Sequence, residues 1–204
     1  MAIEKEFFRQ VMGRFPTGVT VVTTRSQERL AGLTVNAFCS VSLDPPLILI
    51  CVGLTSATYP VIRESGVFAV NMLTEKQEEL SHCFATASAE RYEGFCHASY
   101  HVVATGAPII DDTLAFLDAR VVAEYPGGDH VIFLGQVEAM GVPGLVVFAR
   151  EAEREHIMVG AHGSNGREKA PLAYYLGQYR HLSSSYQNPS LSASAVSVHK
   201  HESS

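Results

Sequence analysis

Apolar and polar residues alternate along much of this chain, most cleanly between Gly32 and Pro46. In an extended strand successive side chains point to opposite faces. Leu33, Val35, Ala37, Cys39 and Val41 then share one apolar face, which the pattern assigns to the core. Thr34, Asn36, Phe38, Ser40 and Ser42 share the other, and residues 31–43 carry no charge. A strand face open to water usually carries Lys, Glu or Arg. Two readings fit this uncharged polar face: a strand at a subunit contact or under a loop, or the floor of a cofactor site.

The same reading places the other elements. Residues 3–15 form an amphipathic helix, with Phe7, Phe8, Val11, Met12 and Phe15 at three- and four-residue steps and Pro16 as its stop. That aromatic surface calls for burial against the core or a second subunit. The β-branched run 19–24 is a strand, and 26–29 a polar turn. Pro45-Pro46 ends the alternating strand, and 47–52, apolar on both faces, is a central one. Residues 57–64 read as a short helix closed by Ser65-Gly66, and 67–73 as a strand. Thr74 and Gln77 have the spacing of a capping box for a helix running toward Phe84. Residues 85–107 give no clear period. Residues 114–125 and 130–140 are the arms of a hairpin around Pro126-Gly127-Gly128-Asp129. Val131, Phe133, Val137 and Ala139 point to the core on the returning arm, with Gly135 permitting a close approach.

Close-spaced strands with few helices predict a mainly β protein, a β-barrel with peripheral helices and not a parallel α/β sheet. Residues 1–182 are expected to form one domain, and the Ser-rich stretch 183–204 a flexible tail.

Composition narrows the function. In 204 residues, 47% hydrophobic and 18% charged content is globular. A net charge of −6 argues against a nucleic-acid partner. No apolar run nears the ~18 residues of a membrane span. Glu4, Lys5, Glu6 and Arg9 leave no room for a signal-peptide apolar region, so a cytoplasmic location is expected. The four cysteines show no paired or zinc-ligand spacing, and Cys39 and Cys51 read as small buried hydrophobes. The nine histidines form no ligand cluster, so no metal is expected.

There is no G-x-G-x-x-G and no P-loop, so any dinucleotide is held without a Rossmann half. No G-x-S-x-G and no paired carboxylates offer acid, base or nucleophile. His130 follows a two-glycine turn. It is either a hydrogen-bonding partner for a carboxamide or phosphate, or an exposed turn histidine.

Several blocks carry a family likeness: Phe15-Pro16-Thr17-Gly18-Val19-Thr20-Val21-Val22-Thr23; Gly32 through Pro46; Phe68-Ala69-Val70-Asn71-Met72-Leu73; Gly128-Asp129-His130 with Gly135-Gln136-Val137; and Pro171-Leu172 with Tyr174-Tyr175-Leu176-Gly177-Gln178-Tyr179. In this order, over residues 6–182, the chain resembles the flavin reductase family of two-component flavin-dependent monooxygenase systems. The resemblance implies a split β-barrel, FMN or FAD as the flavin, and NADH or NADPH as co-substrate. It also implies a homodimer and a monooxygenase partner. It places Pro16, Thr17, Thr34, Val35, Asn36, Ala37, Ser40 and Ser42 along the flavin. Ser56, Phe84 and Arg91 fall at its phosphate end, and His130 and Tyr179 at the nicotinamide nucleotide. The family stacks its two cofactors, which needs neither a Rossmann half nor a protein acid or base. Leu33, where the family often has Met, and Asp118, where it often has Cys or a small residue, depart from the pattern. Two alternatives remain: a split-barrel flavoprotein that keeps its flavin and acts on a small molecule, and a non-catalytic flavin carrier or sensor.

Overall fold

Short strands joined by tight turns pair antiparallel, and every strand pairing among the described residues does so. The computed structural model describes residues 3–27, 29–149 and 169–182. The predicted flexible tail, 183–204, lies outside them. In chain order the elements are α1 (Lys5–Met12), β1 (Thr17–Gly18), β2 (Thr20–Ser26), β3 (Arg29–Val35), β4 (Phe38–Leu43), β5 (Pro46–Gly53), α2 (Thr58–Ser65) and β6 (Val67–Met72). They continue with α3 (Glu78–Ala85), α4 (Ala89–Tyr92), β7 (Tyr100–Val102), β8 (Pro108–Ile110), β9 (Ala115–Gly127), β10 (His130–Val142), β11 (Leu145–Phe148), β12 (Leu172–Tyr175) and β13 (Gln178–His181).

The main sheet runs β3-β2-β6-β9-β10-β5-β4, with β11 on β10. The successive strands β3 and β4 thus stand at its two ends, joined only by residues 36–37. The three steps from Val35 to Phe38 reach at most about 11 Å. The sheet must therefore curl until its edges meet at this corner, where a covalent crossing stands in place of a ladder between β3 and β4. This is the predicted barrel, left split along one seam.

Val22, Val35, Ile50, Val52, Phe68, Phe133 and their neighbours fill its interior. Val131, Phe133, Val137 and Ala139 are buried as predicted. Gly135 does serve a close approach, to a side chain: a Cβ there would stand 2.5 Å from the Phe68 ring. A second cluster, under α3, gathers Val21, Leu73, Phe84, Phe95 and Leu172. Buried Asn71 ties the layers together. Its Nδ2 donates to the Val21 carbonyl (3.0 Å) and Thr23 Oγ1 (2.9 Å), and its Oδ1 accepts from Ile110 N (2.8 Å).

Three expectations change. The alternating segment is two strands, and the phase slips by one at the crossing. Leu33 and Val35 pack on the interior, but so does Phe38, while Ala37, Cys39 and Val41 are exposed. A one-residue slip exchanges the faces of everything beyond it. Cys39 is accordingly an exposed free thiol and Cys51 a half-buried one. Cys83 and Cys96, for which spacing offered no pairing, form a disulfide. The N-terminal helix is shorter than 3–15, and its apolar residues Phe7, Phe8, Val11 and Met12 are 50–60% exposed. The Thr74–Gln77 capping box is present.

Candidate functional site

The crossing is fastened on both sides. Thr20 Oγ1 donates to the Val35 carbonyl at 2.6 Å, and Cys51 N donates to the Ala37 carbonyl at 3.1 Å. Asn36 lies between these ties with its side chain exposed. Val35 is buried, so it can meet a ligand only through its backbone. Thr34 points to the outer side of β3, where its hydroxyl donates to the Ser81 carbonyl of α3 at 2.6 Å. Ser40, opposite Ile48 on the sheet edge, is exposed. Ser42 is half-buried beyond a bulge, about 16 Å along the strand from Ala37.

Behind β3 lies a buried cation. Ser88 caps α4, accepting from Arg91 N at 3.3 Å. The Arg91 side chain then runs inward, where Nε donates to the Gly32 carbonyl (2.9 Å) and Nη2 to Thr58 Oγ1 (3.3 Å). Thr58 Oγ1 donates to the same carbonyl at 3.1 Å. Arg91 is 8% exposed, and no carboxylate of the described residues pairs with it. Burial pushes its pKa below the ordinary value. Besides these neutral dipoles the guanidinium meets the Tyr92 ring, 5.2 Å from its centroid; a buried charge without an opposite charge is costly, and an anion is the group that would relieve it. The first turn of α2 starts beside it, with Ser56 Oγ accepting from Thr58 N at 3.3 Å. Helix N-termini favour anions through their free N–H groups and dipole. Phe84, expected at the phosphate end, can meet a ligand only through its backbone. Its ring is wholly buried beneath Gly32 and packs edge-on against Phe95.

The hairpin tip reaches the other end of the same turn. His130 pairs with Gly53 across β10 and β5, and Leu54 N donates to the Asp129 carbonyl at 3.0 Å. His130 Nδ1 lies 2.7 Å from Asp129 Oδ1, and its Nε2 edge passes over bare Gly53. The hydrogen bond and charge of His130 hold the exposed Asp129 carboxyl below its ordinary pKa. The β5–α2 turn therefore touches His130 at Gly53 and Arg91 at Thr58.

A third patch forms on β1, β12 and β13. Pro16 is exposed there, and the buried Thr17 Oγ1 has no hydrogen-bond partner among the described residues. A buried orphan hydroxyl costs about 1–3 kcal/mol, so it marks a place where another polar group belongs. The Tyr179 hydroxyl lies 2.7 Å from Ser81 Oγ, and its ring packs against His82 and Tyr174. Ser81 thus joins Tyr179 to Thr34. The structure does not bring Tyr179 to His130, with which it was paired on the sequence.

The sequence reading missed Thr58, Gly32 and Ser81. Each acts through a carbonyl or hydroxyl whose partner lies 26 or more residues away, and no local pattern announces such contacts. An apolar groove of about 290 Å³ opens elsewhere, between Phe116, Met140, Val142, Leu145 and Val147. None of the predicted site residues lines it, and it offers nothing to hold a phosphate.

Residues 12–183 match the model of the flavin reductase like domain. The NADH-dependent FMN reductase AsuE2 of Streptomyces nodosus subsp. asukaensis is 42% identical over 140 residues, 65% of this chain and 72% of that protein. HsaB of Mycobacterium tuberculosis, the reductase subunit of a flavin-dependent monooxygenase, is 37% identical over 138 residues, 68% of this chain and 72% of its own. Among solved structures, BorF, the flavin reductase component of a bacterial two-component tryptophan halogenase, superposes with a TM-score of 0.70 at 30% identity. The match covers 88% of this chain and 98% of that one. The NADH:FAD oxidoreductase SgcE6 of Streptomyces globisporus, in complex with NAD and FAD fragments, gives 0.71 at 29% identity, over 91% and 99%.

Proposed function

The chain belongs to the flavin reductase-like domain family, and from that premise we propose that it is an NAD(P)H:flavin oxidoreductase supplying reduced flavin to a partner monooxygenase. The chemistry belongs to the cofactors, a hydride passing from the nicotinamide ring to flavin N5. The protein's part is to bind and align, and rings held at near-attack distance gain several kcal/mol from orientation alone. Arg91, Ser56 and the start of α2 take the flavin phosphate. Asn36 and Ala37 present the uncharged floor, with Ser40 further along the edge, and Pro16 and Thr17 border it. His130, oriented by Asp129, receives the nicotinamide nucleotide.

The observation that carries this reading is Arg91, a cation buried without a carboxylate partner among the described residues. NADH is taken as the co-substrate in this reading. The FMN-reducing relatives named NADH-dependent support the same choice. A homodimer is proposed on the strength of α1, whose apolar side is uncovered in the single chain. No described helix is long and apolar enough to cross a membrane, and a cytoplasmic location is part of the proposal. Residues 1–182 are taken as the catalytic domain and 183–204 as an appended tail.

The test mixes protein, NADH and FMN or FAD and follows nicotinamide absorbance. Flavin-dependent NADH oxidation with many turnovers is expected, with flavin lost on dialysis. Flavin binding without NADH oxidation would instead identify a carrier, and flavin retained through dialysis a resident-cofactor enzyme.

A further inference from the structure

The segment that carries Arg91 is enclosed by a covalent loop. Cys83 at the end of α3 is bridged to Cys96, 13 residues on, and α4 lies between them. The far end of this loop is an unfavourable turn. Phe95, Cys96 and His97 take φ of 48°, 53° and 51° in succession, a left-handed conformation that residues with a Cβ adopt at a cost. Two things hold the turn against that cost. The Phe95 ring is wedged between Phe84 and Tyr100, with centroids at 5.2 and 5.4 Å, and the Cys96 sulfur is tied to α3. The same Phe84 ring fills the space under Gly32, whose carbonyl anchors Arg91. The bridge, the turn and the arginine are thus one packed unit. Cys83 is half-buried while Cys96 is buried, so of the two cysteines Cys83 is the one nearer solvent.

We propose that the Cys83–Cys96 bridge positions Arg91, so that thiol–disulfide exchange sets the grip of this protein on the flavin phosphate. The inference rests on the reading of Arg91 given under Proposed function. In the exchange a dithiol gives two electrons and two protons to the bridge. Its thiolate attacks Cys83 Sγ, the S–S bond breaks, two cysteine thiols form, and the dithiol closes into its own disulfide. With the tie to α3 gone, the left-handed turn relaxes, α4 loses its fixed end, and the guanidinium is no longer held at the anion site. In reducing compartments, bridges of this kind are mostly transient or redox-sensing.

The experiment uses the whole chain, with bridge closed and with bridge opened by dithiothreitol that is then removed under argon. Thiol titration gives two free cysteines before and four after, from Cys39 and Cys51 plus the opened pair. FMN and riboflavin affinities are read from flavin fluorescence. Opening the bridge is expected to weaken FMN binding about fivefold or more, the lower end of ordinary coupling, and to leave riboflavin, which has no phosphate, unchanged. In Arg91→Ala the effect of opening should vanish. Coupling is reciprocal, so saturating FMN should shift the bridge–dithiol equilibrium toward the closed form by the same factor, which a purely structural staple would not show. Cys83→Ser/Cys96→Ser should reproduce the opened form.

Equal FMN affinity in both states overturns the inference, as does a parallel change for riboflavin. Melting of the whole chain at assay temperature on reduction overturns it too, by making the bridge a general staple. No flavin binding in either state overturns the proposed function, and this inference with it.

Discussion

Arg91 Nε donates to the carbonyl of Gly32 at 2.9 Å, joining α4 to β3 across 59 residues. The contact fixes a buried cation by a neutral backbone dipole, and no carboxylate of the described residues pairs with it. Hydrogen bonds to charged groups contribute about 1.5–3 kcal/mol, so Arg91→Ala should weaken FMN binding roughly 10- to 150-fold. Riboflavin affinity in the same variant should barely move. A matching loss for riboflavin would make Arg91 an architectural clamp.

Gly32→Ala tests the support beneath that contact. The new Cβ would stand 2.6 Å from the Phe84 ring in a filled core. Overpacking of this kind costs about 1–3 kcal/mol, and about 2–4 °C of melting temperature per kcal/mol for a chain of this size. Phe84→Leu in the same chain should recover part of the loss. Failure of the second change to help would point to strain in the β3 backbone instead.

The phase slip at residues 36–37 separates Val35 from Cys39. Val35→Asp buries an unpaired carboxylate and should cost several kcal/mol or unfold the chain. Cys39→Ser, on the exposed side, should stay within about 0.5 kcal/mol. Denaturant melts decide it, and comparable damage from both substitutions would restore a single uninterrupted strand.

For His130→Ala the expected change is in the nicotinamide nucleotide alone. Losing a hydrogen bond to a neutral or charged group costs about 0.5–3 kcal/mol, so KM should rise up to about a hundredfold. Flavin affinity should hold, and kcat should fall less than kcat/KM because the residue aligns substrate and moves no proton. Steady-state kinetics at saturating flavin measure this, and unchanged kinetics would leave His130 an ordinary turn residue.

Asp118 supplies a pH signature. It is wholly buried and accepts from Ala104 N, Thr105 N and the Thr105 hydroxyl, yet burial outweighs these donors and raises its pKa. The native state therefore keeps a proton that the unfolded chain releases. Its contribution to stability is greatest below the ordinary carboxyl range and falls as pH rises through the raised value. Asp118→Asn should flatten that part of the stability–pH curve. A curve of identical slope in the variant would assign the effect to another group.

How much of this was legible in the sequence depended on the reach of each interaction. The hairpin arms, the capping box at Thr74 and the inward row Val131, Phe133, Val137 and Ala139 are set by neighbours two to four residues apart, and all were read correctly. The break at Asn36–Ala37 was hidden because small uncharged residues continue the alternation straight through it. A corner set by the curl of a whole sheet leaves no local mark. The Cys83–Cys96 pairing was hidden for the same reason, since the left-handed turn that aims Cys96 at α3 is imposed by packing. Arg91 was found through the family blocks. That no carboxylate of the described residues pairs with it became visible only with the fold.

The turn between Gly53 and Thr58 meets His130 at one end and Arg91 at the other. Those two ends are separated by five residue steps of one continuous backbone, so the turn works as a gauge. It fixes how far apart that imidazole and that guanidinium stand on this protein. On the proposed function, chain length at this one place, more than any side chain in it, sets which pairs of cofactors can meet ring to ring.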